Sequence, residues 1–419
     1  MNAFFQSLSP QTKEMLRRLQ AAGAEAYIVG GCVRDALLGR QPTDIDITTS
    51  ALPEQIQAIF SDLPTFDTGI QHGTVTVLLD QIPFEVTTYR VDLGYTDGRH
   101  PDAVCFTRSL YEDAARRDFT VNAMAYNETD GLRDFFGGVA DLKAGLIRCV
   151  GQPMKRLTED ALRVLRAIRF ASTLGFSIEP ETAQALFACA PLLSAISAER
   201  ITSELEKLLC GQAASHVIVS YASVLNACLP ELQRLSATEL ATAAKVCAQL
   251  PASFPLRLAA LCFQLPFDDG MAALRRLRLS NRVSQAVRTL LERRSEPLPT
   301  ERAALRELAG QLGFEPLLNW IHLQASICSV REDADGVAAA SKAGQLVHRI
   351  QADGDCCTLQ QLAVNGADLL QRGIRGAAVG QLLQTLLRGV MHDQLPNDRS
   401  ILLNKLDALI SGKGTVFYE

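Results

Sequence analysis

The stretch AYIVGGCVRDALLGRQPTDIDIT, residues 26–48, decides the fold of the first part of this chain. AYIV reads as a short apolar strand that Gly30-Gly31 turns, CVRDALL as a short helix stopped at Gly39, and DIDIT as the next strand. Residues two apart on a strand point the same way, so Asp44 and Asp46 face together while Ile45 and Ile47 turn into the core. Two carboxylates on one face repel and need a cation or shared protons. Their hard oxygens favour Mg²⁺, which keeps waters and binds substrate phosphates beside one or two carboxylates. A two-ion site of this kind activates an attacking hydroxyl and steadies a leaving pyrophosphate. Gly30 and Gly31 allow close backbone approach, and the N–H groups opening the following helix, with Arg34, suit a triphosphate. Taken singly, either motif also reads as an ordinary turn or a solvated strand end.

Outward from this stretch, TVTVLL (74–79) and FEVTTY (84–89) are further strands among amphipathic segments, which makes the first 150 residues an α/β unit. From about residue 155 the pattern turns helical, rich in Ala, Leu, Arg and Gln with apolar residues at three- and four-residue spacing. Gly175, Gly211, Pro251, the SEPLPT segment (295–300) and Gly354 mark expected helix boundaries. With 419 residues the chain has room for two to four domains.

Composition narrows the function classes. Hydrophobic residues at 47% and charged residues at 21% fit a soluble globular protein, and no apolar run is long enough to span a bilayer. The first residues lack a secretory pattern, so the expected location is the cytoplasm. The 11 cysteines include no CxxC pair and read as reduced, buried thiols. A net charge of −5 leaves nucleic-acid binding to local basic surface, of which Arg148–Arg169 is the most basic stretch after the α/β unit. His392-Asp393 lacks the further ligands of a metal cluster and is read as a solvated surface pair.

Together, GGxVRDxxLG followed by DxDI resembles the nucleotidyltransferase superfamily of DNA polymerase β type. Within it the match is to class II tRNA nucleotidyltransferases, the CCA-adding enzymes, and their bacterial poly(A) polymerase relatives. The resemblance implies an α+β multidomain chain: a catalytic α/β head over 1–145, then an all-α neck for base recognition (146–210), a body (211–355) and a tRNA-binding tail (356–419). It also implies Asp44 and Asp46 as catalytic ligands of two Mg²⁺ ions, with Glu85 on FEVTTY as a third acidic group. ARRDFTVNAMAY (115–126) resembles the RRDFTxNA motif, and Arg117, Asp118 and Asn122 are carried over as nucleotide contacts; Arg116 reads as solvated.

LTEDALRVLRAIRFASTLGF (157–176) resembles the base-selecting EDxxR motif. Read as one helix, it puts Asp160 and Arg163 a turn apart as neighbours. A carboxylate accepting from an exocyclic amine beside an arginine donating to ring acceptors reads the edge that cytosine and adenine share. Uracil and guanine would leave buried groups unpaired, roughly 10⁴-fold discrimination where hydrogen bonding is specific. Arg166 and Arg169 are expected at phosphate or ribose, although their three-residue steps wind around the helix. The same segment also reads as an amphipathic helix with Leu162, Leu165 and Ile168 inside and a Glu159–Arg163 surface pair.

Glu199, Arg200 and Glu204 are expected in structural ion pairs, and DFFGG (134–138) with DLKAGLIRCVG (141–151) as a Gly-rich turn and hairpin. LAVNGADLLQRGIRGAAVGQLLQTLLRGV (362–390) resembles the tail signature expected to hold the tRNA elbow. The expected function is addition of CCA to tRNA 3′ ends from CTP and ATP with release of pyrophosphate, with tRNA and nucleoside triphosphates as partners and no membrane. FDTGIQHGTVTV (66–77) lacks the basic signature of poly(A) polymerases, and residues 90–114 retain a loop of the kind that members adding the terminal A require. An A-adding enzyme completing tRNA-CC, a poly(A) polymerase and a non-catalytic RNA-binding protein are the alternatives.

Overall fold

Alternation along the strands of the α/β unit separates a dry face from a wet one. The computed structural model describes residues 8–42, 44–94 and 103–410. Its first elements are α1 (Pro10–Ala21), β1 (Ala26–Val29), α2 (Gly31–Leu37), β2 (Asp46–Thr49), α3 (Pro53–Ile59), β3 (Thr65–Gly69), β4 (Thr74–Leu79) and β5 (Ile82–Thr88). After these come β6 (Arg90–Leu93), β7 (Ala103–Phe106), α4 (Leu110–Ala115), β8 (Met124–Asn127) and β9 (Gly131–Asp134). Seven strands form one sheet in the order β3-β4-β5-β2-β1-β8-β9, antiparallel except where β2 runs parallel to β5.

Cross-strand partners share a face. Ile28, Ile47, Val86 and Val75 follow one another across β1, β2, β5 and β4, and all four are fully buried. The opposite face carries the row Phe66, Thr76, Glu85, Asp46, Val29, Ala125 and Arg133. Part of that face is roofed by α4, whose Leu110 packs with Tyr27, Val29, Tyr89 and Ala125. Asp46 and Glu85 remain exposed. Strands β6 and β7 form a separate antiparallel pair, and residues 95–102 of the expected terminal-A loop lie outside the described residues.

The expected hairpin over 134–151 is instead a helix and a parallel ladder. Asp134 accepts hydrogen bonds from the Gly138 and Val139 N–H groups (2.8 and 2.9 Å) and starts α5 (Gly138–Ala144). Gly145, at φ 64°, ends it. Then β10 (Leu146–Ile147) pairs in parallel with β11 (Ser177–Ile178). A Cβ on Gly138 would lie 2.3 Å from the Thr120 carbonyl oxygen, so this contact admits only glycine.

The segment 157–176 is likewise two helices where one was expected. α6 (Pro153–Glu159) stops at Asp160, whose backbone is extended at φ −138°, and α7 (Leu162–Leu174) begins after Ala161. Asp160 starts the second helix by accepting from the Leu162 N–H at 3.0 Å. As expected, Leu165 and Ile168 are fully buried and Gly175 ends α7 in the left-handed region. The unit continues with α8 (Pro180–Cys189) and α9 (Ala198–Leu209).

By internal packing the chain divides into two units, Met1–Gln233 with Arg275–Arg278, and Arg234–Leu274 with Leu279–Glu419. The second is helical, and its helix Ala334–Asp353 ends at Gly354 in the left-handed region. There Val364, Leu369, Leu386, Leu402 and Leu406 form a buried core over the segment with the tail signature. His392 and Asp393 are not merely solvated: His392 meets Glu307 at 2.9 Å and Asp393 pairs with Arg306 at 2.8 Å. Among the described residues no helix is long and apolar enough to cross a membrane.

Candidate active site

The strand register fixes the carboxylates. Asp46 opens β2 directly beside Glu85 on β5, on the wet face, and Asp44 lies two residues earlier, just outside the strand. Burial by the surrounding protein raises the Asp46 pKa; the Arg117 charge opposes the shift and the Asp44 charge adds to it. The carboxylate is nonetheless open to solvent on its outer side. Glu85 is raised in the same way, by burial, then Asp46, then Asp44. The charge of Asp44 thus bears on Asp46, and both charges bear on Glu85.

Arg117 reaches this cluster because of Gly30. Gly30 adopts φ 77° and ψ −133°, and a Cβ there would lie 3.2 Å from the Arg117 guanidinium. The other side of the guanidinium meets Asp113 at 3.3 Å. Asp113 is fully buried and also takes Arg116 at 2.8 Å and the Thr48 hydroxyl at 3.3 Å. Burial pushes the Asp113 pKa up, but Arg116 and Arg117 hold it below the ordinary value. Arg116 is therefore not a solvated residue. Asp113 on α4 was missed in the sequence, although its spacing of three and four residues from the arginine pair just past the end of that helix was a usable signal.

A second, buried chain of polar groups runs from α2 to α9. Arg34 donates to the Asn122 Oδ1 at 2.7 Å, and Asn122 Nδ2 donates to Asp118 Oδ1 at 3.1 Å. Asp118 Oδ2 accepts from Arg166 Nε and Nη2 at 2.9 and 2.6 Å. Arg166 lies 3.6 Å from Glu204, and Arg169 donates to Glu204 at 2.8 Å. Burial works against the charge on Asp118, yet Arg166 and Asn122 hold its pKa far below the ordinary value. Arg166 and Arg169, expected to diverge around the helix, converge because Glu204 on α9 draws both.

The Arg163 N–H donates to the Asp160 carbonyl at 2.9 Å, but the two side chains do not pair with each other. Asp160 Oδ2 accepts from Arg200 Nη2 at 3.0 Å. Arg163 Nη1 donates to Glu159 Oε2 (2.8 Å) and the Arg156 carbonyl (2.9 Å), while Nη2 donates to the Arg116 carbonyl (3.1 Å). The expected Glu159–Arg163 pair is present, but it is largely enclosed, with side chains 14% and 11% exposed. Arg200 Nη1 is buried beside Asp160 with no hydrogen-bond partner among the described residues.

Among the described residues no group of three or more His, Cys, Asp or Glu side chains is placed to hold a metal ion by itself. Asp44, Asp46 and Glu85 still fit a hard cation by donor chemistry: all are oxygen ligands, two share one sheet row, and their mutual repulsion is what a cation relieves. Gly31 sits 3.5 Å, measured from an ideal Cβ, from Arg34, which also pairs with Asp35 at 2.8 Å.

Residues 26–148 match the poly(A) polymerase head domain, 175–234 a probable RNA and SrmB-binding site of polymerase A, and 257–406 a tRNA nucleotidyltransferase domain 2. The CCA-adding enzyme of Limosilactobacillus fermentum is 40% identical over 404 residues, 95% of this chain and 96% of that one. The enzyme of Geobacillus stearothermophilus is 39% identical over 92% of this chain and 93% of its own. The crystal structure of the Bacillus stearothermophilus CCA-adding enzyme in complex with CTP superposes with a TM-score of 0.79 at 33% identity, covering 97% of this chain and 99% of the other.

Proposed function

The chain belongs to the CCA-adding enzymes, and from that premise we propose that it extends tRNA 3′ ends with C, C and A at the wet face of its sheet, from CTP and ATP, with pyrophosphate leaving. The observation that carries the placement is the cluster of Asp44, Asp46 and Glu85 on the open part of that face. Asp44 and Asp46 would hold the Mg²⁺ ions, with Glu85 beside them as a third acidic group; the chemistry of the ions is to make the terminal hydroxyl a better nucleophile and to offset charge on the leaving group.

The chain's own residues do the rest. Arg117, held by Asp113 against the Gly30 backbone, balances negative charge next to the carboxylates. Arg34, Arg166 and Arg169 supply planar donors for the triphosphate and ribose, with Asn122, Asp118 and Glu204 respectively fixing their directions. Asp160 accepts from the exocyclic amine of cytosine or adenine while Arg163 donates to the ring. Glu159 and two backbone carbonyls already engage the Arg163 guanidinium, so it meets the base without a search through rotamers. The work divides among a head (1–145), neck (146–210), body (211–355) and tail (356–419), the last binding the tRNA elbow. The free thiols, buried or partly buried except Cys105, suit action in the reducing cytoplasm.

Replacing Arg163 tests the base-reading part. Arg163→Ala is expected to lower the ratio of kcat/KM for CTP over UTP by about 10²-fold or more, because a specific hydrogen bond is lost. A ratio unchanged from the unsubstituted enzyme would remove Arg163 from that role.

A further inference from the structure

Phe170 lies on α7 directly after Arg169 and four residues past Arg166, and is 3% exposed. Three guanidinium groups stand over its ring: Arg169 with its central carbon 3.4 Å from the centroid, Arg34 at 5.1 Å and Arg166 at 5.5 Å. Phe119 packs against the same ring edge-to-face, with centroids 5.7 Å apart at 80°. The arginines come from two sequence segments more than 100 residues apart, Arg34 on α2 and the others on α7. Such convergence of like charges is costly unless something compensates it. Asp35, Asp118 and Glu204 neutralise the group, and Glu204 bridges Arg166 to Arg169, but none of these carboxylates reaches all three arginines. The ring does, since its negative face attracts cations.

We propose that Phe170 is a positioning residue for nucleotide binding, holding Arg34, Arg166 and Arg169 at one centre so that their donors are set for the triphosphate and ribose before the nucleotide arrives. This rests on the function proposed above. A purely packing role for Phe170 would depend on its volume and apolarity. The positioning role depends on the electron density of the ring, and the two separate when one changes without the other.

Replacing Phe170 by 4-fluoro-, 3,5-difluoro- and 3,4,5-trifluorophenylalanine in the full-length protein weakens the face of the ring at nearly constant shape. Equilibrium titration with CTP and with ATP reads binding without relying on turnover. The dissociation constants are expected to rise stepwise with fluorination, reaching about tenfold for the trifluoro ring, by the same factor for both nucleotides. Phosphate and ribose are common to the two, so the preference for CTP over UTP stays fixed. Phe170→Leu is expected to weaken binding at least as much. Constants flat within twofold across the fluorinated series overturn the proposal, whatever the leucine variant does. A stepwise rise in an enzyme that adds neither C nor A to tRNA would sustain the arginine positioning and overturn the function on which it was built.

Discussion

Asp46→Asn is expected to lower kcat for C addition by about 10³-fold or more while leaving the protein folded and, without divalent cation, slightly more stable. The catalytic loss follows from removing a charged oxygen at the centre of the acidic row, where Glu85 is the direct neighbour across the ladder. The stability gain follows from the sign of the pKa shift. Asp46 is raised in the folded state, so its folded form binds a proton more tightly than its unfolded form. The stability linked to that proton is fully present below the unfolded value and lost as pH rises through the raised folded value. At neutral pH the ionised group therefore works against folding, and the neutral amide does not. The gap in melting temperature between Asp46→Asn and the parent should close as pH falls through the carboxylate range, and a scan from pH 7 to 3 in EDTA measures it. A melting temperature that falls on substitution at pH 7 would mean that the carboxylate is a structural partner.

Asp118 carries the opposite sign and the largest expected stability effect. It is 8% exposed and accepts from Arg166 twice, from Asn122 and from the Phe119 N–H. Asp118→Ala leaves Arg166, whose side chain is 32% exposed, without its main partner, a change that costs about 3 kcal/mol. For a unit of this size that corresponds to roughly 10 °C in melting temperature. Its depressed pKa means that the stabilisation is present above the unfolded value and lost only as pH falls through the lower folded value. The deficit of the variant should hold constant from pH 8 to 5 and shrink only in strong acid. Asp118→Asn keeps the shape and the Phe119 contact and should recover part of the loss. Thermal unfolding by circular dichroism decides the matter, and a drop under 2 °C for the alanine variant would show that Arg166 finds another partner.

Much of the head was legible because strands write their faces in alternation. Thr74, Val75, Thr76 and Val77 alternate in the sequence, and the two valines are fully buried while the threonines are not. The spacing of Asp44 and Asp46 gave the wet face for the same reason, although only Asp46 falls within the regular strand. Strands β8 and β9 were not anticipated, since MAYN and GLRD carry little β-branched character and are specified by their pairing with β1 and with each other.

The break at Asp160 was invisible for a different cause. Nothing in TEDALRV signals a stop, because neither Gly nor Pro is present. Its carboxylate is held by Arg200, which stands 40 residues later, and a contact at that separation overrides local helix preference. The convergence of Arg166 and Arg169 depends in the same way on Glu204, and the Phe170 centre on Arg34. Pattern within one segment says which residues are present; partners from distant segments decide where their side chains go.

The most direct test of the account offers the purified protein three tRNA transcripts, ending at the discriminator base, at C and at CC, with each labelled nucleoside triphosphate in turn. C is expected on the first two and A on the third, with extension stopping at CCA and no U or G added. Incorporation of A only on the transcript ending in CC, long adenosine runs on unrelated RNA, or no incorporation at all would contradict it.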